Sequence, residues 1–207
     1  MIIQHYPLTY QVYQNKNISK PLSHRGSLAV ETIKHYNLGI MPSGYVGKIK
    51  IIKANGEEVL LNVEKQVNGA FEKYQIKDSF NNLIGEIDIK INKFLNYDRL
   101  EFSTDPSHVF VNELRNYSNP RTPYYKNGLK EYKGIGTRLL QIAQRRSDEA
   151  LCNGNIELIA KNRGEVLEFY KNLGFAQPEI ITRFTNPYKL HLTPLAKEPL
   201  SKKYGGL

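Results

Sequence analysis

The sequence predicts a mixed α+β fold in which a central, mostly antiparallel sheet is flanked by helices. Residues 45–102 alternate between apolar and polar side chains, which is the period of strands with one buried face. Residues 107–192 then read as strand, helix, strand, helix and strand. A run of strands followed by such an alternation is typical of an α+β domain.

Turn residues divide the first half into an antiparallel meander. Asn55-Gly56 is a strong hairpin signal between two alternating segments. Asp78 to Asn82 is rich in turn residues and separates two more. Strands are therefore predicted at residues 46–54, 58–67, 71–77 and 83–91.

A fifth strand is predicted at residues 107–114. Strict alternation would place Val111 and Glu113 on one face of this strand and Leu114 on the other. The following loop, residues 115–130, is long for a connection in a compact domain. Loops of that length are often functional.

Two amphipathic helices are predicted in the second half. Apolar residues recur at helical spacing from Ile135 to Ala143 and again from Val166 to Leu173. Between them, residues 156–160 form a short apolar segment that is typical of a central strand. We expect three regions: an N-terminal extension of unknown role (1–48), the α+β domain (49–195) and a flexible C-terminal tail (196–207).

Charge and composition narrow the classes of function. The 207 residues carry a formal net charge of +9, which favours anionic partners such as nucleotide cofactors, RNA or acidic proteins. The single cysteine, Cys152, excludes a disulfide within the chain. Neither a membrane-spanning apolar stretch nor a secretory signal is recognisable. We expect a cytoplasmic protein without membrane insertion; export by a specialised secretion system is left open.

A glycine-rich turn opens the first predicted helix, with the sequence Lys133-Gly134-Ile135-Gly136-Thr137. Glycines let a backbone approach a ligand closely, and the N–H groups and dipole of a helix N-terminus favour negative charge. Lys133 and Arg138 are expected to add cations at the rim. The turn matches neither the dinucleotide-binding nor the Walker-type glycine pattern, since the residues that each pattern requires after its first glycines are absent. It therefore predicts a phosphate site of another kind.

Together with the residues that follow it, this turn resembles the GNAT superfamily of acyl-CoA-dependent N-acetyltransferases. The pyrophosphate loop of that family reads Arg/Gln-x-x-Gly-x-Gly/Ala at the start of a helix, and Glu131 to Gly136 stand in its place here. The family then has a strand, an Asn-bearing loop and a helix that closes in Tyr-x-x-x-Gly-Phe. The matching residues here are Ile156 to Ala160, Asn162, and Tyr170 to Phe175.

The resemblance covers about residues 70–192 and implies a GNAT fold with direct acetyl transfer from acetyl-CoA to a primary amine. Acetyl-CoA would lie in an opening between the strand that ends at Leu114 and the strand at residues 156–160. The cofactor-binding residues that the resemblance implies are Leu114, Arg115, Lys133, Gly134, Ile135, Gly136, Thr137, Arg138 and Asn162. It implies no metal.

The resemblance implies that two side chains take part in catalysis, and each of them has an alternative, structural role. Tyr170 would hydrogen-bond or protonate the departing thiolate, whereas an aromatic residue on an apolar helical face can equally be a core residue. Glu113 would take a proton from the attacking ammonium, directly or through water. It can equally be a solvated carboxylate or an ion-pair partner of Arg115.

Two positions depart from the family pattern. Glu131 replaces the Arg or Gln that opens the loop, which puts an anion near the phosphates. Asn162 lies one residue away from the position of the family's Asn, counted back from Tyr170.

The sequence therefore predicts an N-acetyltransferase whose acceptor is a protein or another macromolecule, such as a charged tRNA, because the termini are basic. Two other classes stay open: a catalytically weak GNAT-like module that binds acyl-CoA, and a module that binds RNA or protein through residues 1–48. A homodimer is also left open.

Overall fold

The structure, a computed structural model, describes residues 32–33, 36–93, 95–96, 101–102, 107–126, 132–178 and 186–207. Residues 1–31, most of the expected extension, lie outside the described residues, as does Glu131. The strands are β1 (Gly44–Lys53), β2 (Glu58–Asn68), β3 (Phe71–Lys77), β4 (Leu83–Asn92), β5 (Leu95–Asn96), β6 (Glu101–Phe102), β7 (His108–Asn116), β8 (Tyr132–Lys133), β9 (Ile156–Ile159) and β10 (Lys189–Leu192). The helices are α1 (Ile135–Glu149), α2 (Gly164–Lys171) and α3 (Glu198–Lys202).

Eight of the strands form one sheet in the order β10-β9-β7-β4-β3-β2-β1-β8. Neighbouring strands are antiparallel except β7 and β9, which are parallel. β5 and β6 pair separately as a short antiparallel ribbon. The predicted mixed, mostly antiparallel sheet with flanking helices is therefore confirmed.

Helix α1 packs on one face of this sheet, which we call the α1 face. Ile87 and Ile89 of β4 are fully buried on it. A Cβ at Gly85 would lie only 2.5 Å from Ile135 Cγ2, so the absence of a side chain at Gly85 lets the first turn of α1 sit directly on β4. The opposite face of the sheet, which we call the outer face, carries the alternate residues of β4, among them Glu86 and Asp88.

An extra residue in β7 changes which side chains share a face. Asp88 pairs with Glu113 and Ile89 with Val111, which leaves Asn112 as a β-bulge. The strict alternation that we expected is therefore wrong beyond Val111. Glu113 lies on the outer face with Asp88, and Leu114 pairs with Ile87 on the α1 face.

The N-terminal boundary expected at residues 48/49 falls inside β1, and the residues before that strand pack on the domain. Leu38 is fully buried. The Glu149 carboxylate at the end of α1 accepts the N–H groups of Leu38 and Gly39 at 2.9 and 2.8 Å. Lys65 Nζ, also buried, donates to the Leu38 carbonyl at 2.7 Å. Residues 36–43 are therefore part of the domain.

The C-terminal residues, expected to be a flexible tail, instead form α3 and a 3₁₀ turn that pack on α1. The Leu200 side chain is 0% exposed. Gln141 Nε2 donates to the carbonyls of Leu200 and Lys203, each at 2.8 Å. Buried donors on α1 need acceptors, and the carbonyls of the C-terminal residues supply them. No helix among the described residues is long and apolar enough to cross a bilayer.

If α3 belongs to the core, Leu200→Ala should lower the free energy of unfolding by about 2–5 kcal/mol, because it leaves a cavity against α1. The matched control is Leu195→Ala, since Leu195 is 98% exposed. That substitution should stay within about 0.5 kcal/mol of wild type. Urea denaturation measures both, and equal stabilities of the two variants would show that the C-terminal segment does not contribute to the core.

Candidate active site

Strands β7 and β9 run side by side for only part of their length. Val109, Phe110 and Val111 pair with Ile156, Glu157 and Leu158, and the ladder ends there. β7 continues for five more residues, to Asn116, without β9 beside it. The two strands separate at the bulge, since a bulge bends its strand and increases the local twist. The result is a gap in the sheet between the C-terminal halves of β7 and β9.

The backbone of β7 faces this gap at alternate residues. The Tyr117 N–H donates to the Ile84 carbonyl of the β4 side at 2.9 Å. Because hydrogen-bonded pairs alternate in an antiparallel ladder, Leu114 and Asn116 direct their N–H and C=O groups away from β4 and into the gap. The Asn116 carbonyl accepts from Thr122 Oγ1 at 2.6 Å. Leu114 is thus positioned to pair with an extended ligand, as an added strand would.

The glycine turn lies at the start of α1, close to Leu114. Gly134 is the N-cap residue in the left-handed region, at φ 79°, and no side chain caps the helix. The first helical hydrogen bond runs from the Arg138 N–H to the Gly134 carbonyl at 2.9 Å. The N–H groups of the three preceding residues therefore have no partner within the helix. No acidic residue lies in the first turn, so this helix end suits an anion.

Tyr204 packs directly on this turn, which the sequence did not predict. A Cβ at Gly134 would lie 2.5 Å from Tyr204 Cε2. Tyr204 itself has a left-handed backbone, at φ 54°. Glycine is thus required at position 134 for two reasons, its positive φ and the aromatic ring beside its Cα.

Arg138 is not at the rim, contrary to our expectation. Its side chain is 3% exposed. Nε donates to the Lys50 carbonyl at 2.9 Å, Nη2 to the Tyr204 carbonyl at 2.9 Å, and Nη1 to the Gly206 carbonyl. The guanidinium therefore joins β1 to the C-terminal segment. Lys133, in contrast, is exposed beside the turn.

Tyr170 lies within the aromatic part of the core and next to the gap. It is 8% exposed, with ring centroids 5.1 Å from Phe169 and 5.5 Å from Phe175. Burial, with a smaller contribution from Tyr124, raises the pKa of Tyr170 to about 12. The phenol thus keeps its proton at neutral pH and can act as a donor.

Phe169 connects Tyr170 to the glycine turn. Its Cζ atom is 3.3 Å from the position that a Cβ of Gly136 would take, and Leu114 Cδ2 is 3.7 Å from the same point. The structure therefore brings together Leu114, Gly136 and the helix segment that carries Tyr170, three of the sequence-predicted features.

Glu113 lies at the edge of the gap, but it is engaged in an ion pair. Arg115 Nη2 is 2.5 Å from Glu113 Oε2, and Arg115 Nη1 donates to Glu86 Oε1 at 3.0 Å. Burial raises the pKa of Glu86, but hydrogen bonds from Gln75 and Tyr117 and nearby cations offset this, and the pKa is lowered overall. The ion-pair alternative that the sequence left open for Glu113 is thus present in the structure.

A tyrosine from the loop after β7 reaches across to the far side of the gap. Lys161, just beyond β9, donates from Nζ to Tyr124 Oη at 2.6 Å. The Arg115 guanidinium lies 5.6 Å from the Tyr124 ring centroid. The length of the loop marked it as functional, but no local signal singled out Tyr124. Asn162, which the resemblance implied as a cofactor-binding residue, is exposed in the bend that leads to α2.

No group of three or more potential metal ligands occurs among the residues that the structure describes.

Three solved structures are similar to this chain, and all are GNAT acetyltransferases. A mutant of spermidine N-acetyltransferase SpeG from Vibrio cholerae shares 16% identity, with a TM-score of 0.37, over 61% of this chain and 66% of its own. Nourseothricin acetyltransferase shares 12% identity, with a TM-score of 0.38, over 73% of this chain and 85% of its own. GCN5 from Tetrahymena shares 17% identity, with a TM-score of 0.36, over 63% of this chain and 73% of its own.

This chain spans just under two thirds of the Vibrio cholerae structure. No protein-family model and no curated protein matches the chain.

Gly134→Ala should destabilise the protein by at least about 1–2 kcal/mol, since alanine is strained at positive φ. Contact with Tyr204 adds to this cost. In a Tyr204→Ala background the cost should be smaller but not zero, because the ring is gone and the backbone strain remains. A double-mutant cycle by urea denaturation measures both contributions.

The control for this cycle is Gly164→Ala, at the exposed start of α2, where nothing lies within 4 Å of the added Cβ and φ is not positive. It should be neutral or slightly stabilising. A Gly134→Ala variant as stable as Gly164→Ala would contradict the conformation described for the turn.

Proposed function

We propose that this chain is an N-acetyltransferase that moves an acetyl group from acetyl-CoA to a primary amine within a ternary complex. The observation that supports it is the separation of β7 and β9 next to an uncapped, glycine-led helix N-terminus. An extended, phosphate-bearing thioester needs both features. The gap accepts its linear arm, and the helix end accepts its diphosphate.

In this proposal the diphosphate binds the N–H groups of Ile135, Gly136 and Thr137, with Lys133 supplying a cation. The pantetheine arm pairs with the backbone of Leu114, whose polar groups face the gap. Arg115 and Asn162 border the same gap from opposite sides. Arg138 contributes by fixing the turn, because its side chain is occupied by Lys50 and the C-terminal segment.

The chemistry is a direct displacement. The amine nitrogen attacks the thioester carbonyl, the C–N bond forms and the C–S bond breaks. An ammonium acceptor loses two protons in the process. One is released to solvent through a carboxylate on the outer face, for which Glu113 is the proposed group. Tyr170 gives its phenolic proton to the departing thiolate, and the second proton of the amine restores the phenol. A backbone N–H in the 114–116 segment would stabilise the oxyanion.

The acceptor that the basic surface favours is a protein or another macromolecule, since the chain carries a net charge of +9. An acidic protein surface or a charged tRNA would be attracted over long distances. The outer face of the sheet is where such an acceptor would meet the acyl group, because the first turn of α1 occupies the other face.

A second candidate function is a module that binds acyl-CoA with little turnover. The ion pair between Arg115 and Glu113 favours it, because Glu113 Oε2 is held 2.5 Å from Arg115 Nη2 by the chain itself instead of being directed at an acceptor amine. Tight acetyl-CoA binding without release of CoA in the presence of any amine would identify this alternative.

The decisive measurement is acetyl-CoA binding by calorimetry combined with an amine-dependent CoA-release assay. Tyr170→Phe should lower kcat at least about tenfold, because the thiolate loses its proton donor, while acetyl-CoA affinity changes little. The matched control is Tyr45→Phe on β1, which is 49% exposed. An unchanged kcat in Tyr170→Phe would remove Tyr170 from the mechanism, and absence of acetyl-CoA binding would overturn the proposal as a whole.

The raised pKa of Tyr170 makes a prediction about pH. A phenol with a pKa of about 12 stays protonated when the pH rises through 10, so kcat at saturating amine should hold up to about pH 10.5. An ordinary phenol would have lost half its protons by pH 10. Rates are corrected for enzyme-free thioester hydrolysis. A kcat that halves near pH 10 in wild type but not in Tyr170→Phe would contradict the assignment.

A further inference from the structure

A cavity of about 230 Å³ opens on the outer face of the sheet, next to the bulge in β7. It lies on the side of the sheet opposite α1, so it is separate from the glycine turn. Its lining combines a carboxylate, an ammonium, three carboxamides and an aromatic ring, from Asp88, Lys73, Gln66, Asn68, Asn112 and Phe71.

The cavity is placed where the proposed reaction needs an acceptor. Asn112 is the bulge residue, and the preceding Val111 is the last residue of β7 that pairs with β9. Asp88 lies directly opposite Glu113 in the ladder, with both side chains on the outer face. An amine held against Asp88 is therefore one strand, β7, away from the gap through which the acyl end of a thioester would emerge.

Asp88 is set up to receive a cation. Its Oδ1 atom is buried and has no hydrogen-bond partner among the described residues. Enclosing part of a carboxylate without a donor is unfavourable, and a positively charged ligand in the cavity would compensate for it. A primary ammonium is such a group, and it can also donate to the carboxamide oxygens beside it.

Lys73 gives the cavity a second, opposite charge. It is the direct cross-strand neighbour of Asp88, on the same face of the sheet. The Cβ atoms of such a pair lie about 5 Å apart. That distance is similar to the one between an amine and a carboxylate that are separated by a few bonds. The Lys73 ammonium also contributes to lowering the pKa of Glu86, so Lys73 lies close to Glu86 on the outer face. A ligand with only a positive charge would satisfy Asp88 but meet repulsion from Lys73.

We propose that this outer-face cavity binds the acceptor of the reaction, and that the acceptor is a primary amine with a carboxylate within a few bonds of the nitrogen. The ammonium contacts Asp88 and the carboxylate contacts Lys73. The adjoining carbons lie on the Phe71 ring, which is 38% exposed. This inference rests on the proposed acetyl transfer. The same chemistry has two sources, a free amino acid and the N-terminal acidic residue of a protein chain.

Paired acceptors test the inference in the CoA-release assay. One pair is L-alanine and L-alaninamide; the other is a short amidated peptide that begins with Asp and the same peptide that begins with Asn. Each pair differs by one carboxylate. In the pair that represents the acceptor of this protein, kcat/KM should be at least about tenfold higher for the member that carries the carboxylate. A charge-assisted contact is expected to have an effect of that size.

Two variants and a control assign that preference to the cavity. Lys73→Met should reduce the ratio within the preferred pair to about one. Asp88→Asn should lower kcat/KM for both members at least about tenfold, with acetyl-CoA affinity unchanged. Lys77→Met is the matched control, because Lys77 lies on the same face of β3, pairs with Glu64, and does not line the cavity. It should keep the wild-type ratio. Thermal unfolding confirms that all three variants are folded.

The outcomes separate this inference from the proposed function. Amine-dependent CoA release with no preference for a carboxylate, or with the best rates for polyamines, overturns the acceptor assignment and leaves acetyl transfer standing. If acetyl-CoA does not bind, acetyl transfer fails, and the cavity is tested alone by ligand-observed NMR with L-alanine and the Asp peptide. Binding that is lost in Lys73→Met and kept in Lys77→Met then supports the cavity; no binding overturns it.

Discussion

Asn112 is the extra residue that forms the β-bulge in β7 opposite β4, and most features of the site follow from this bulge. The bulge bends β7 where its parallel pairing with β9 stops, so the gap opens at that point. The same extra residue moves Glu113 to the outer face and Leu114 to the α1 face. One backbone irregularity therefore creates the gap, gives it a backbone edge for pairing, and places the Glu113 carboxylate on the outer face.

The end of the site that is proposed to bind phosphate is positioned by close packing. Because Gly85 has no side chain, Ile135 can lie against β4, and the uncapped start of α1 is held beside Leu114. Arg138, in the first turn of α1, is buried and binds carbonyls of β1 and of the C-terminal segment. The helix end thus offers backbone N–H groups to a ligand, while the guanidinium stabilises the surrounding fold.

The outer face has a charge pattern that the net charge of the chain does not show. Glu86, Asp88 and Glu113 alternate there with Lys73 and Arg115 across three neighbouring strands. Charges of both signs therefore lie close to the gap in a protein that is basic overall. Long-range attraction of anionic partners and local recognition of an amine are compatible, because they act through different parts of the surface.

The sequence by itself determined the strand and helix pattern, the glycine turn before α1 and the helix that carries Tyr170, because periodicity and glycine placement are local properties of the chain. Only the tertiary structure decided the bulge at Asn112. Because β7 carries apolar residues on both of its faces, the sequence pattern does not show that the side chains after Asn112 exchange faces. It also decided the burial of Arg138 and the contact between Tyr124 and Lys161. These depend on partners tens of residues away, and a local pattern contains no information about which distant carbonyl or hydroxyl a side chain will meet.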